Sequence, residues 1–409
     1  MVFLGERYYN IYRIMLTIIG LWPYQSSIIV QVQTAFFFGA YSTFLFSQLT
    51  IFLTTTCSLE VIIKELSYIF ITMLYIICYN SFYFNAKEIK QLLEQIKLDW
   101  NTIEDKDEIK ILEKYAVENR LLSMILIILF SFSIFFLLIV ELIPVILDTV
   151  VPINESRQRK LQIDFEFFID EEKYFYVYLI HEITVVLIGV FTMLATGTLP
   201  IAFFRHCCAI CKISSNLIEN TVTKQTLQVS SHRKIYIMYQ KISRAVHLHR
   251  KSIQLTKFFM KTMNKWYFVL LMICAASLSC NLLRLLNAAT VLNEFSELII
   301  CFGTVMGHFL TMFIPNFIGQ SFIDHHGEMF YAAYNTMWYL APLPIQKLLL
   351  FVMQNSMKAH ALLLGGIYVS CLEGFSTVIS VIVICRKLIF QEDNLVCSFL
   401  EKLENLYCA

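Results

Sequence analysis

The sequence is poor in charge, and its charged residues are clustered. Only 15% of the 409 residues are Asp, Glu, Lys or Arg, whereas soluble domains carry about 25%. No charged residue occurs between Ile14 and Leu59, and residues 121–140 (LLSMILIILFSFSIFFLLIV) also contain none. Because about 20 apolar residues in a helix cross a ~30 Å hydrocarbon core, these runs exclude a soluble domain and indicate membrane-spanning helices.

The sequence also lacks the short motifs of common enzymes and of one large receptor class. It contains no G-x-S-x-G, no P-loop and no dinucleotide fingerprint, so nothing predicts hydrolase or nucleotide chemistry and we expect no enzyme. A DRY motif and an NPxxY motif are both missing, which argues against a G-protein-coupled receptor. No cleaved signal peptide is expected, because MVFLGERYYN has no basic region followed by a short apolar core.

Seven apolar segments predict an all-α polytopic membrane protein, which we treat as one domain over residues 1–409. The segments cover about residues 30–56, 62–84, 121–147, 175–204, 266–286, 296–318 and 360–386. Polar residues interrupt three of them: His181 and Glu182 the fourth, His308 the sixth and Glu373 the seventh. Polar side chains inside spans normally face the interior of the bundle or a water-filled cavity.

The basic residues are distributed unevenly between the two sides of the membrane. Segments 1–29, 85–120, 205–265 and 319–359 hold 23 of the 32 Lys and Arg residues, which predicts a cytoplasmic N-terminus and an extracellular C-terminus. The single N-x-S/T sequon, at Asn154, falls in the opposite loop, so we expect extracellular glycosylation there. The cytoplasmic segments have apolar residues at helical spacing, as at Ile89, Leu92 and Ile96, and should form helices that extend from the membrane.

Asp324, His325 and His326 raise the question of a metal site. Consecutive residues on a helix point about 100° apart, whereas a helical zinc pair takes His at i and i+4, and no other His or Cys has that spacing nearby. Residues 207–211 (CCAIC) lack a matching second pair. We therefore expect no metal and no cofactor, with the three polar residues in water and the cysteines in packing or reversible lipidation.

Three segments resemble the insect odorant receptors, most closely those of ants, bees and wasps. Residues 13–25 (RIMLTIIGLWPYQ) resemble the N-terminal signature R-x-x-L-x-x-x-G-x-W-P, and residues 194–220 resemble the inner mouth of the fourth span. Residues 319–356 (GQSFIDHHGEMFYAAYNTMWYLAPLPIQKLLLFVMQNS) are similar to the most recognisable block of the family: Gly-Gln, A-A-Y, W-Y, a Leu-Pro turn and a K-L-L-L helix. The resemblance covers nearly the whole chain.

The resemblance implies an odorant-binding subunit of a ligand-gated, non-selective cation channel. Such receptors are heterotetramers with a shared olfactory co-receptor in the plasma membrane of sensory-neuron dendrites. The chain is similar to an odorant-tuning subunit, because the co-receptor is longer and has an enlarged loop between the fourth and fifth spans. The implied partners are the co-receptor, a small volatile or hydrocarbon odorant and the lipid bilayer, without nucleic acid. Segment 319–359 would be the cytoplasmic anchor that joins subunits, with contacts from Tyr334, Trp338 and Tyr339.

The same resemblance places the odorant in the outer halves of spans two to six. Odorants are small and mostly uncharged, so the expected site is a largely apolar cavity with a few polar groups. The expected lining residues are Phe70, Met73, Phe135, Phe136, Ile139, Tyr178, His181, Glu182, Val185, Cys274, Phe302 and Met306.

The end of the seventh span departs from the family pattern. By position, Ile389, Phe390 and Gln391 fall where the family has its outer gate, a hydrophobic constriction that loses water when it closes. Arg386 and Lys387 would place two charges close to the pore, where they repel cations. Either this variant tail alters or disables conduction, or the helix ends before the charges and the rest is an extracellular appendage.

Two other functions stay open at the level of the residues. A gustatory-type receptor of the same architecture would carry T-Y-x-x-x-x-x-Q-F in its last span, and the sequence has no such signature. A secondary transporter would use Glu182 and His181 for proton coupling, but the chain shows neither inverted repeats nor helices broken at matched positions.

Overall fold

The structure is a computed structural model that describes residues 5–25, 27–54, 58–150, 161, 163–168, 171–289, 295–357 and 360–384. The helices are α1 (Glu6–Ile18), α2 (Ser27–Thr54), α3 (Leu59–Phe84), α4 (Ala86–Thr102), α5 (Lys106–Val150), α6 (Glu171–Glu219), α7 (Lys224–Gln228), α8 (Ser231–Asn287), α9 (Phe295–Asn335), α10 (Leu343–Ser356) and α11 (Leu372–Ile384). Two short strands, β1 (Leu363–Leu364) and β2 (Tyr368–Val369), pair antiparallel just before α11.

The predicted all-α membrane architecture is confirmed. Within the described residues, α2, α3, α5, α6, α8 and α9 are long and apolar enough to cross a membrane, and α11 is a shorter apolar helix. These six helices correspond to the first six predicted spans. Helix α6 lies at the centre and packs against α3, α5, α8 and α9. The apolar part of α6 is 61% buried, whereas that of α5 is 11% buried, so α5 exposes most of its apolar surface.

One end of the bundle, which we call the base, consists of α4, α7, α10 and the adjoining ends of α6, α8 and α9. The 319–359 segment contributes the last turns of α9, a 3-10 turn at Trp338–Leu340 and α10. Its buried side chains share one apolar cluster with α6 and α8, here called the base cluster: Ile218, Val222, Met238, Ile242, Ala245, Met329, Ala333, Ala341, Ile345, Leu349, Val352 and Met353. The expected cytoplasmic helices therefore pack on each other within one subunit.

The helix in the seventh predicted span begins later than expected. Residues 360–386 are predicted to be helical, but the described part of this span is helical only from Leu372 onward. The β1–β2 hairpin precedes it and turns at Gly365 and Gly366, whose φ angles are +60° and +78°. Glycine adopts this left-handed region without steric cost. Apolar residues in a hairpin and in a buried helix look alike in composition, which explains the error.

Candidate ligand-binding cavity

The end of the bundle opposite the base, here called the cavity end, encloses a cavity of about 400 Å³. Helices α3, α5, α6, α8 and α9 form its walls, and its lining is mostly aromatic and aliphatic. The apolar lining includes Ile71, Tyr75, Phe130, Phe136, Leu187, Val190, Ile299 and Phe302. A concave, largely apolar space of this size between helices is the usual form of a small-molecule site.

Polar groups in the cavity are few, and one of them lacks a partner. His308 is buried at 7% exposure, and its Nδ1 lies 2.8 Å from the carbonyl oxygen of Thr304. Because a carbonyl only accepts, Nδ1 carries the proton and Nε2 is left as an acceptor. Nε2 is buried and has no hydrogen-bond partner among the residues that the structure describes. A ligand hydroxyl or N–H group would satisfy it.

A loop segment, residues 163–168, closes the cavity end, and we call it the cap. The amide of Glu166 donates to the carbonyl oxygen of Ser47 at 2.9 Å, and the Thr50 hydroxyl donates to the Glu166 carbonyl at 2.8 Å. Lys64 Nζ lies 2.5 Å from Asp164 Oδ2. These contacts with α2 and α3 hold the cap in place and offset the conformational entropy that the loop loses when it is ordered.

Two expected site residues on α6 hold the cap from below. Glu182 Oε1 accepts a hydrogen bond from the amide of Ile163 at 3.2 Å, and both residues line the cavity. The Tyr178 hydroxyl accepts from the amide of Phe167 at 3.2 Å, and its ring stacks on Phe165 at 5.2 Å. The carboxylate of Glu182 thus positions the cap and borders the cavity at the same time.

Arg284 joins three of the helices that surround the cavity. Its guanidinium donates to the Ser67 hydroxyl at 2.7 Å and to the Tyr68 hydroxyl at 2.9 Å, and it forms an ion pair of 2.5 Å with Glu297. Tyr68 lines the cavity, so this network ties the wall of α3 to the ends of α8 and α9. A planar guanidinium with five donors suits such multiple contacts.

Of the twelve expected lining residues, the cavity brings together Phe136, Glu182, Cys274 and Phe302. Tyr178 and Val185 are buried outside it, and His181 turns toward Thr43 with Nε2 at 3.2 Å from the hydroxyl. Five more lie outside the lining: Phe70, Met73, Phe135, Ile139 and Met306. All twelve lie on helices that surround the cavity, but the sequence does not indicate which side of each helix faces it, because neighbours on a helix face directions about 100° apart.

His308 is a polar lining residue outside the expected set. The signal was present, since a histidine interrupts the sixth apolar segment and polar residues inside spans usually face a cavity. Thr72 and Thr304 also line the cavity, but a threonine in an apolar helix often bonds its own backbone, as Thr304 does with Ile300. Nothing in the sequence distinguishes these threonines from others.

A second cavity of about 240 Å³ lies on the base side of the first. The two share five lining residues, Leu74, Phe130, Met193, Cys274 and Thr311. The second cavity is also lined by Leu362, Leu364, Tyr368 and Ser370 of the hairpin region before α11. The two cavities therefore adjoin each other, and together they extend from the cap to the start of α11.

The hairpin region is held against α9 by a close contact and by hydrogen bonds. A Cβ at Gly319 would lie 2.1 Å from the carbonyl oxygen of Ser370, so only glycine permits this approach. The Tyr368 hydroxyl donates to Asn316 Oδ1 at 2.8 Å, and the Ser370 hydroxyl donates to the carbonyl oxygen of Pro315 at 3.3 Å. The sequence predicts that Gly319 lies at the end of a span. In the structure Gly319 lies in the middle of α9, where the hairpin region contacts this helix.

The base contains a buried charged group with two partners. Asp99 on α4 is 3% exposed, lies 3.0 Å from His206 Nε2 on α6 and forms an ion pair with Lys251 on α8. Burial alone would raise the pKa of Asp99, but its hydrogen bonds and attraction to His206 and Lys251 outweigh that effect, so the pKa lies below the ordinary value. This network fastens α4 to the two central helices.

The expectation that Asp324, His325 and His326 all lie in water was wrong for the last of them. Asp324 is exposed and accepts from Gln320 at 2.9 Å, and His325 is half-buried beside Tyr115. His326 is only 2% exposed, because that face of α9 turns inward against α6 and α8. The cysteines of residues 207–211 are all buried, which agrees with packing and gives no exposed thiol for lipidation.

The structure describes the expected anchor residues but not the expected gate residues of the pore. Tyr334 and Tyr339 are exposed at 61% and 63%, and Trp338 packs partly buried against the base cluster. The exposed pair stays available for contact with another subunit. Ile389, Phe390 and Gln391 of the predicted gate, and the predicted glycosylation site Asn154, lie outside the described residues.

Comparison with known proteins identifies the family. The family model for the 7tm odorant receptor matches residues 58–383. The chain belongs to this odorant receptor family. It is therefore a multi-pass membrane receptor and not an enzyme. No curated protein matches the chain significantly.

Solved structures with the same fold as this odorant receptor include the insect olfactory receptor OR5 from Machilis hrabei. The structure of that receptor in complex with eugenol is 15% identical, with a TM-score of 0.77 over 94% of this chain and 98% of the other. A second structure of the same receptor is 14% identical, with a TM-score of 0.76 and the same coverage. At this identity the likeness establishes the fold of the receptor alone.

Proposed function

We propose that this chain is the odorant-binding subunit of a heteromeric, ligand-gated, non-selective cation channel that assembles with the olfactory co-receptor in the plasma membrane. The observation that carries the proposal is the apolar cavity of about 400 Å³ under the cap. Membership of the odorant receptor family supports the receptor role. The insect receptor with the same fold was solved with eugenol, which supports a small organic ligand here.

The ligand that fits the cavity is mainly apolar and carries one hydrogen-bond donor. Phe130, Phe136 and Phe302 line the cavity and provide apolar contact for an aromatic or hydrocarbon body, and burial of each CH₂ group stabilises the complex by about 0.8 kcal/mol. His308 Nε2 has no partner among the described residues, so it can accept from a ligand hydroxyl, and such a bond contributes about 1 kcal/mol. This arrangement favours alcohols and phenols over ethers and alkanes of the same shape.

Channel opening requires that the ligand bind the open state more tightly than the closed one. A tenfold preference corresponds to about 1.4 kcal/mol, which a few rearranged apolar contacts supply. The second cavity adjoins the proposed ligand site and is lined by residues of the hairpin region before α11. We propose that the second cavity couples ligand binding in the first cavity to movement of the last helix, which lines the pore in our proposal.

We further propose that the base faces the cytoplasm, with the N-terminus inside and the C-terminus outside. The support is the distribution of charge, with 23 of 32 Lys and Arg residues in the segments on that side. In this orientation the cap faces the odorant, and the exposed Tyr334 and Tyr339 join subunits in the cytoplasm. The same orientation places Asn154 outside, where glycosylation is expected.

The transporter alternative depended on His181 and Glu182 acting as one proton-coupling pair. Their partners differ, since His181 contacts Thr43 while Glu182 accepts from the Ile163 amide of the cap. No observation favours this second function. A gustatory-type receptor would share the architecture, but the match to the odorant receptor family model favours olfaction.

Current recordings from cells that express this chain with and without the olfactory co-receptor test the proposal. We expect odorant-evoked cation current only when both chains are present, and stronger responses to alcohols than to the matching methyl ethers. Saturable uptake of a solute without the co-receptor would support the transporter instead. An absence of any odorant response in the co-expressed pair, with both chains at the cell surface, would contradict the proposal.

A further inference from the structure

Three buried side chains at the base bring together ligands of the kind that bind transition metals. Cys211 on α6, His249 on α8 and His326 on α9 each offer one ligand atom, and these atoms lie within 4.8 Å of one another. The three residues are far apart in the sequence, so no ligand spacing could reveal them. Each comes from a different helix.

The distance between Cys211 and His326 matches that in a tetrahedral site. Cys211 Sγ lies 3.5 Å from both ring nitrogens of His326, Nε2 and Nδ1. With Zn–S of about 2.3 Å and Zn–N of about 2.0 Å, a tetrahedral angle separates sulfur and nitrogen by about 3.5 Å. His326 Nδ1 lies 3.0 Å from the carbonyl oxygen of Phe322 and donates to it, so Nε2 keeps the lone pair that a metal needs. Such a backbone hydrogen bond is the usual support of a ligating histidine.

His249 supplies an independent observation. It is only 8% exposed, and its Nδ1 is buried with no hydrogen-bond partner in the described part of the chain. Its ring centre lies 5.0 Å from that of His326. A buried nitrogen without a hydrogen-bond partner destabilises the fold, and a metal ion between the rings would supply the missing partner.

A cluster without metal explains only part of this arrangement. The Cys211 thiol can donate to the Ser252 hydroxyl at 3.2 Å, and His326 is satisfied at Nδ1 by Phe322. This interpretation leaves His249 Nδ1 unpaired next to a thiol and an imidazole.

An open groove gives access to the cluster. His249 and His360 both line a groove of about 1290 Å³ at the base, between α4, α8 and α10. The ring centre of His360 lies 5.6 Å from that of His326. Of the three proposed ligands, His249 lines this groove, so the groove gives a bound ion the entry path that a metal site requires.

We propose that Cys211, His249 and His326 bind one divalent transition-metal ion of the zinc class and thereby tie α6, α8 and α9 together at the base. A thiolate with imidazoles selects zinc over magnesium or calcium, which prefer oxygen ligands. The thiol releases its proton to solvent when the ion binds. The proposed site differs from the sequence-based expectation of no metal, which was based on the spacing of His326 from residues nearby in the sequence.

Metal titration of the purified full-length receptor in detergent tests the proposal. After treatment with a chelator, Co²⁺ is added as a coloured probe and then displaced with Zn²⁺. We expect one ion per chain, the intense visible absorption of tetrahedral Co²⁺ and a thiolate-to-metal charge-transfer band. The receptor should also unfold at a higher temperature with Zn²⁺, because an ion that binds only the folded state stabilises it.

Matched variants separate this site from adventitious binding. Cys211→Ser should lose the charge-transfer band and most of the Zn²⁺-dependent thermal shift, and His249→Gln should weaken affinity at least tenfold. Cys208→Ser, at a cysteine that is equally buried but outside the cluster, should behave like the native chain. Failure of the native receptor to retain Co²⁺ or Zn²⁺ at about 10 µM would overturn the proposal. So would equal binding by Cys211→Ser. If Cys211→Ser does not fold, the native titration and His249→Gln decide.

Discussion

The two ends of the bundle are built in opposite ways. The cavity end encloses adjoining spaces of about 400 and 240 Å³ and is closed by a cap held through a few hydrogen bonds. The helices of the base are joined by the base cluster, a buried ion-pair network at Asp99 and the Cys211, His249 and His326 group, and the large space there is an open groove between α4, α8 and α10. Empty volume costs stability, because its lining atoms lose packing contacts. The base therefore stabilises a chain whose cavity end is kept open for a ligand.

The largest effect is expected from breaking the base at Asp99. Asp99→Ala leaves His206 and Lys251 without their buried partner and should destabilise the receptor by about 3–5 kcal/mol. Thermal unfolding in detergent and surface expression measure this loss. The exposed Asp107, which pairs with Lys110 on the surface, is the control, and Asp107→Ala should leave both readouts nearly unchanged.

The same network predicts a pH dependence of stability. Since the pKa of Asp99 lies below its ordinary value in the folded chain, its contribution is complete above the unfolded pKa and is lost as pH falls through the lowered folded value. Acidification should lower the unfolding temperature of the native receptor more than that of Asp99→Asn. Equal pH profiles for the two chains would show that the carboxylate does not stabilise the base.

A smaller effect is expected at Gly319, where the hairpin region contacts α9. Gly319→Ala would place a methyl group 2.1 Å from the Ser370 carbonyl oxygen, and such overpacking costs about 1–3 kcal/mol. The displaced hairpin should reduce odorant-evoked current while much of the protein still reaches the surface. Gly327→Ala on the same helix meets open space and serves as the control. Normal odorant-evoked currents from Gly319→Ala would show that the hairpin takes no part in channel gating.

Substitution within the cavity should change ligand response and leave folding intact. Phe136→Ala removes a lining ring, and the loss of about 1–2 kcal/mol of apolar contact should raise the concentration for half-maximal response about tenfold. Phe135 is adjacent, 61% exposed and outside the lining, so Phe135→Ala should respond like the native chain. A collapse of surface expression in Phe136→Ala alone would assign this residue to packing.

The smallest effect is expected at the polar group of the cavity. His308→Leu removes the acceptor Nε2 and should weaken responses to alcohols by about 1 kcal/mol, roughly fivefold, with little change for methyl ethers. Dose–response curves for matched alcohol and ether pairs measure the difference. An equal loss for both ligand types would mean that His308 contributes shape and not a hydrogen bond.

The spans were predictable because charged residues flank long apolar runs. Helix α3, for example, was predicted over 62–84 and is found at Leu59–Phe84. The rotation of each helix about its axis was not predictable. Phe135 and Phe136 are equally apolar, and only the packing of α5 on α6 determines which of them faces the cavity. Contacts between distant segments were not predictable either. Nothing near His326 in the sequence indicates that Cys211 and His249 lie beside it, since that proximity arises from the crossing of three helices.

The proposed odorant site can be tested by cryo-electron microscopy of this chain assembled with the olfactory co-receptor in the presence of an activating alcohol. We expect ligand density in the cavity under the cap, with the ligand hydroxyl within hydrogen-bond distance of His308 Nε2 and the ligand body against Phe136 and Phe302. Ligand density at another place in the subunit, with this cavity empty, would show that the cavity is not the odorant site.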